Sequence, residues 1–308
     1  MLENVNHVLL TRFNVPSGGY EGVVRARDGW LRNRIILFEQ FCLPSVRSQV
    51  DSNFRWIIYF DPDSPRWLKE RIRELNRDEL FIPIYRSEVL KPHLIHDLKA
   101  AIGYEAEYLL TTNLDNDDGL AADFTARLRS MDPPDRTTAV YMPDGLIRAG
   151  GAVYRRTDPQ NAFCSVLAPW PVAETCWAEW HNQLGRAMPV VELDGPPAWL
   201  QLVHGSNVSN RIHGTRVSPA KFDHLFPGLL EDLVEPTAAQ RLADRALASP
   251  ARLVREAGRK TAKAVVQTIS GRDGIDKLKV TAASWRMIPS HSQKPRAKTM
   301  KGARNGSL

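Results

Sequence analysis

A mixed α/β fold, with a mainly parallel sheet flanked by helices, is the architecture this sequence predicts. Three observations carry it: dense apolar runs of strand length, helical periodicity between them, and acidic residues where the runs end. Val5 to Phe13 is the first run, broken by Asn14-Val15-Pro16-Ser17-Gly18-Gly19. Trp30 to Val46 carries Leu31, Ile35, Leu37, Phe38, Phe41 and Cys42 near helical period, which leaves Arg32, Arg34 and Arg47 on a solvated face. Phe54 to Phe60 is aromatic and β-branched, the mark of a buried strand. It runs into Asp61-Pro62-Asp63-Ser64-Pro65, where Ser64 is placed to cap a helix over Pro65 to Leu75.

A strand over Phe81 to Tyr85, a helix over His93 to Ile102 and a strand over Tyr108 to Leu114 follow, and then the acidic group Asp115-Asn116-Asp117-Asp118. Repeated strand–helix–strand units favour parallel pairing, and ligands of such sheets bind beyond the strands' carboxyl ends. Asp61, Asp63 and Asp115 to Asp118 therefore converge on one crevice. Ala121 to Met131 reads as a helix. Thr137 to Met142 and Gly151 to Arg155 read as strands around a turn at Pro143-Asp144-Gly145. The Pro- and Trp-rich stretch from Asn161 to Pro197 reads as loops and short helices. Trp199 to Val203 is a last strand, ending at His204-Gly205-Ser206-Asn207.

Composition narrows the classes. The chain has 308 residues, 43% hydrophobic and 25% charged, as in ordinary globular proteins. It has no apolar run of about eighteen residues to span a bilayer, and the N-terminus lacks the pattern of a secretory signal. Cys42, Cys164 and Cys176 are far apart and read as reduced thiols. These features point to the cytoplasm. From Arg241 onward, 16 Lys and Arg stand against 4 Asp and Glu, while the preceding residues carry 25 against 31. A mildly acidic body at 1–235 is thus followed by a basic tail at 236–308. Leu253, Val254, Ala257, Ala264 and Val265 recur at helical spacing in that tail, as in a helix lying on an anionic membrane surface. A solvated extension is the alternative. Nucleic acid is disfavoured, because Trp285 is the tail's one aromatic residue.

Adjacent carboxylates at a strand end repel one another unless a cation neutralises them. Hard oxygen donors on a short turn suit Mg2+ or Mn2+ shared with a diphosphate. A solvated loop capping the next helix is the alternative, and the triplet Asp61-Pro62-Asp63 shows that spacing by itself decides little. Glu174, Glu179, His181 and Asp194 are the candidate bases. Glu179-Trp180-His181 is preferred, since it sets an aromatic beside an acid. An amphipathic helix burying Trp180 is the alternative.

Four segments in order, Leu10 to Asn14, Leu37 to Ser45, Leu110 to Asp118 and Trp199 to Asn210, resemble the rhamnosyltransferase family of bacterial glycosyltransferases. The resemblance spans roughly residues 5 to 215. It implies a GT-A type fold, with a nucleotide-sugar-binding half at 1–120 and an acceptor-side half at 121–235. It implies transfer of a sugar, rhamnose, from a nucleotide-diphospho-sugar such as dTDP-rhamnose to a glycan or lipid-linked acceptor, with Mn2+ or Mg2+. Asp115 then faces ribose and metal, Asp117 binds metal, Asp118 assists, and His204 completes the site. Asp61 accepts from the base ring, and Thr11 and Arg12 line the nucleotide pocket. The acidic Glu-Asp pair that supplies the base in many such sequences is missing between Gly150 and His204. Two other classes compete: a nucleotidyltransferase on a similar sheet, and a non-catalytic nucleic-acid-binding protein. The first would carry a cation in the loop after the first strand, and Asn14 to Gly19 has none.

Overall fold

A computed structural model describes residues 2–16, 29–204 and 211–255. The fold is mixed α/β, as expected. Its larger sheet has seven strands: β1 (Val5–Arg12), β2 (Arg55–Phe60), β3 (Ile82–Tyr85), β4 (Tyr108–Asn113), β6 (Thr138–Tyr141), β9 (Ser165–Pro169) and β10 (Val190–Glu192). Their order is β10-β6-β9-β4-β1-β2-β3. β1 to β4 pair parallel, β9 runs antiparallel to both β4 and β6, and β10 is parallel to β6. Among the described strands of this sheet, β9 is therefore the one that is reversed.

The apolar runs are continuous because both faces are covered. Leu9, Trp56, Ile58 and Phe60 pack into one core with Phe38, Leu43, Leu68 and Ile72 from helices. Val8, Leu10, Ile57 and Tyr59 pack into the other with Leu94 and Leu98. The helices responsible are α1 (Trp30–Leu37), α2 (Leu43–Arg47), α3 (Arg66–Leu75) and α4 (Lys91–Ile102). Period-2 alternation thus sends every second strand residue to opposite helix layers. Each fully buried Leu, Ile or Phe side chain stabilises the fold by roughly 1.5–3 kcal/mol.

Between α1 and α2, residues Phe38–Cys42 form a π-helical turn. Pro44 follows at once, without the N–H that would reach back to the carbonyl of Gln40. The widened turn divides its side chains: Phe38 and Cys42 join the first core, and Phe41 joins a third. That third core lies under a five-stranded sheet of order β12-β8-β7-β11-β5. Its strands are β5 (Gly119–Leu120), β7 (Asp144–Ala149), β8 (Ala152–Thr157), β11 (Trp199–Val203) and β12 (Thr215–Val217). Phe124–Arg129, α5, lies between β5 and β6.

Three local expectations are corrected. Ser64 does not cap α3: Pro65 is the N-cap residue, and the Ser64 hydroxyl accepts from Asn14 Nδ2 at 3.0 Å. The residues expected to turn at 143–145 enter β7 directly. There Gly145 packs so tightly on Trp199 that an added Cβ would lie 2.0 Å from the ring. The stretch expected as loops contains β9 and β10, because Ser165-Val166-Leu167-Ala168 buries completely between β4 and β6.

The three cysteines are buried and unbridged. Among the described residues no helix is long and apolar enough to cross a membrane. Beyond position 235, α6 (Ala238–Ala243) leads to a segment seated on β12. Asp244 accepts from the Arg216 backbone at 2.7 Å and pairs with Arg252 at 2.8 Å. Leu253 and Val254 are exposed, and the rest of the expected amphipathic stretch, Ala257 to Val265, lies outside the described residues.

Candidate active site

β1 ends at Arg12 and β4 at Asn113, both on the carboxyl edge of the larger sheet. The reversed β9 begins on that same edge, so Asn161 to Cys164 arrive beside them. A cleft of about 760 Å³ opens here. Its far wall belongs to the second sheet, through Arg156, Asp158, Trp199 and Gln201. Trp30 and Arg34 of α1 line it, as do Cys176 to His181. A cleft of this size holds an elongated ligand of nucleotide dimensions.

The acidic turn sits at its floor. Asp118 N–H donates to the Asp115 carbonyl at 3.2 Å, which folds the turn tightly. Asp117 is buried, and its Oδ2 meets two cationic or potentially cationic groups: the Arg34 guanidinium and His204 Nε2, the latter at 2.9 Å. Burial works to raise the Asp117 pKa, but the His204 hydrogen bond and the Arg34 charge outweigh it and hold it low. Asp115 reaches solvent yet is crowded by protein. That desolvation, and then the charge of Asp117, pushes its pKa up.

Asn116, between them, is a hub. Its Nδ2 donates to the carbonyls of Arg12 (3.0 Å) and Phe13 (2.6 Å), and its Oδ1 accepts from Arg34 at 3.1 Å. Asp118, expected to assist at the metal, points elsewhere. It is fully buried, does not line the cleft, and accepts the Leu202 N–H of β11 at 2.8 Å. Burial, together with the charges of Asp117 and Asp115, raises its pKa well above the carboxylate range.

Other expected residues divide in the same way. Arg12 lines the cleft with its guanidinium 4.0 Å over the Trp177 ring. Thr11 does not line it: the side chain is fully buried, donates to the Leu114 carbonyl at 2.8 Å and accepts from Trp56 at 2.9 Å. It fastens β1 to the acidic turn. Asp61 closes β2, one strand farther out, where it accepts from the Asp63 backbone at 2.8 Å. It lies outside the cleft lining.

On the remaining wall, Glu179 and His181 both line the cleft. Trp180 between them is 67% exposed, so it is not the buried face of an amphipathic helix. The His181 Nδ1 lies 2.6 Å from the Gln160 carbonyl, and the Tyr141 hydroxyl donates to the His181 carbonyl. Glu174 is turned away in an ion pair with Lys91, and Asp194 is exposed outside the cleft.

Several cleft residues, Arg34, Arg156 and Asp158 among them, were not singled out from the sequence. Arg34, expected on a solvated face, is 9% exposed. Arg156 and Asp158 pair at 2.8 Å at the end of β8. The one available signal was Asn116, whose amide between two acids has no role in a solvated loop.

Among the described residues, no group of three or more His, Cys, Asp or Glu side chains is arranged to hold a metal ion. A hard divalent ion needs fewer, because it keeps water and takes phosphate oxygens. Asp117 Oδ2 and His204 Nε2 stand 2.9 Å apart. That contact is a hydrogen bond, and Asp117 Oδ2 also meets Arg34; Asp115, Asp117 and His204 together offer two carboxylates and an imidazole, donors of the kind such an ion takes.

A family model described as "Putative rhamnosyl transferase" matches residues 6–216. No curated protein matches the chain in sequence. Among solved structures, S. aureus TarS is 12% identical, with a TM-score of 0.38 over 64% of this chain and 37% of that one. GalNAc-T7, solved with UDP, GalNAc and Mn2+, is 11% identical, with a TM-score of 0.39 over 67% of this chain and 45% of that one. Inositol-1-phosphate CTP transferase from T. maritima is 11% identical, with a TM-score of 0.36 over 76% of this chain and 100% of that one. The chain spans less than half the length of the first two.

Proposed function

The chain belongs to the rhamnosyl transferase family, and from that premise we propose that it transfers rhamnose from a nucleoside-diphosphate sugar to a glycan or lipid-linked hydroxyl. The observation that carries this reading is the acidic turn Asp115 to Asp117, which lines a cleft of about 760 Å³ at the carboxyl edge of the parallel strands, with His204, itself outside that lining, bonded to Asp117. Asp117 and His204, with Asp115, would hold Mn2+ or Mg2+. Such an ion, when bound, offsets the charge that develops on the departing diphosphate.

The chain's own groups divide the remaining work. Arg12 on Trp177 lines the donor side. Asp61, one strand out, is assigned to the base ring. His181 is the assigned base: a carbonyl only accepts, so the hydrogen bond to Gln160 puts the proton on Nδ1 and leaves Nε2 to take one from the acceptor hydroxyl. Glu179 and exposed Trp180 give that side a carboxylate and an apolar platform for a sugar ring. The basic residues after 240 would hold the protein at the anionic surface where a lipid-linked acceptor resides.

The test is a panel of nucleotide-sugars scored for thermal stabilisation with and without Mn2+, followed by transfer assays on the best donor. A dTDP- or UDP-sugar that stabilises the protein more strongly with Mn2+ is the expected result. Failure of every nucleotide-sugar to stabilise the protein or turn over would refute the assignment.

A further inference from the structure

Arg34 is a nearly buried cation whose hydrogen bonds among the described residues all fall on one of its three nitrogens. Nη1 serves both Asn116 Oδ1, at 3.1 Å, and the Asp117 carboxylate. Nη2 and Nε make no hydrogen bond among the described residues, although the side chain is only 10% exposed. Both atoms keep some solvent contact, so this edge is open to a ligand. The guanidinium lines the cleft, and its position is fixed from two sides. The Trp30 ring lies 5.0 Å from its carbon, and Asn116 binds one edge.

The unspent edge has the fork geometry that grips two oxygens of one oxyanion. Asn116 also binds the backbone carbonyl of Arg12, so one amide ties Arg34 to the strand end that carries Arg12, and each guanidinium rests on a tryptophan. We propose that the Nε/Nη2 edge of Arg34 receives the diphosphate of the donor, with Arg12 as the second cation. The identity of that ligand rests on the glycosyl-transfer reading above. The chemistry itself, a phosphate oxyanion on a guanidinium fork, does not. Asp117 and Asn116 position Arg34 for this contact.

The experiment is calorimetric titration of the full chain with inorganic pyrophosphate in EDTA, so that no metal contributes. Wild type is compared with Arg34→Lys, which keeps a charge for Asp117 but loses the fork, and with Arg34→Gln. Arg32→Gln on the same helix is the control. We expect wild type and Arg32→Gln to bind alike, Arg34→Lys to bind about tenfold more weakly, a loss of about 1.4 kcal/mol, and Arg34→Gln to bind more weakly still. Equal affinities across the set, no binding by wild type, or acetate binding as tightly as pyrophosphate would each overturn the proposal.

Should both Arg34 variants unfold, phenylglyoxal labelling of wild type read by mass spectrometry decides. Pyrophosphate must protect Arg34, and unaltered labelling counts against the seat. The two readings fail separately. Transfer with pyrophosphate binding indifferent to Arg34 sinks only this inference. Binding that depends on Arg34, with no nucleotide-sugar used, sinks only the reaction.

Discussion

His181 Nδ1 lies 2.6 Å from the carbonyl oxygen of Gln160, so the neutral ring is held as the tautomer whose Nε2 accepts. If that nitrogen takes the acceptor's proton, His181→Gln lowers turnover by about 10²–10⁴-fold. Affinity for the nucleotide is expected to stay near that of wild type, since none of the proposed donor contacts is made by His181. Initial rates and calorimetry check the pair of outcomes, and an undiminished rate removes His181 from the chemistry.

Asp117 and Asp118 are adjacent but answer substitution differently. Asp117→Asn removes the charge that faces His204 and Arg34, and Mn2+-dependent nucleotide binding weakens about tenfold or more. Asp118→Asn keeps an acceptor for the Leu202 N–H and leaves that binding nearly intact. Asp118→Ala strands this buried donor and costs about 1–3 kcal/mol of stability. Titrations with Mn2+ and thermal melts separate the three. Equal losses of Mn2+ response in both Asn variants would place Asp118 at the metal after all.

His7 sets a pH dependence in the core. Burial, and then the nearby Arg129 charge, lowers its pKa from 6.5 to about 3. The folded protein therefore holds this ring neutral where the unfolded chain binds a proton. Its stabilising contribution is complete above about pH 6.5. It is lost as pH falls from there toward about 3, with a slope approaching 1.4 kcal/mol per pH unit. Thermal melts from pH 7 to 4 should show a shallower decline for His7→Asn than for wild type. Parallel curves would show that His7 is not the group responsible.

Gly145→Ala tests the seam between β7 and β11. The new methyl would meet the Trp199 ring, which also stacks on Phe163 at 5.2 Å and donates to the Met142 carbonyl at 2.9 Å. With three sides of the indole occupied, relief requires backbone movement, and the cost is about 1–3 kcal/mol. A chemical melt measures it. Stability equal to wild type would mean that β7 and β11 separate more easily than this packing implies.

Much of the larger sheet is legible in the sequence because its strands are buried on both faces, so Phe54 to Phe60 and Tyr108 to Leu114 stand out as unbroken apolar runs. β9 is not legible: it is five residues long, ends in Pro169 and sits within a Pro- and Trp-rich stretch. The acidic turn was legible as a site from its three acids. Which acids face the cleft was not, since Asp117 and Asp118 differ in what distant segments bring to them: Arg34 and His204 to the one, the Leu202 N–H to the other. Arg34 was missed for a related reason. Helical periodicity assigns a side chain to a face of its own helix, whereas Arg34 is buried by Asn116 and Asp117, residues from a turn 82 and 83 positions later in the chain.

The reversed strand has a consequence for how the protein can diverge. The chain leaves the larger sheet at Tyr141 and re-enters it at Ser165, both on the carboxyl rim of the sheet. Everything between, including the β7–β8 hairpin, is an excursion with both ends tethered at that rim. Insertions or deletions within it leave the register of β6 and β9 undisturbed, because neither strand has to slide. The wall that Arg156, Asp158 and Asn161 to Cys164 give the cleft can then change in length and shape while β1 to β4 keep their spacing.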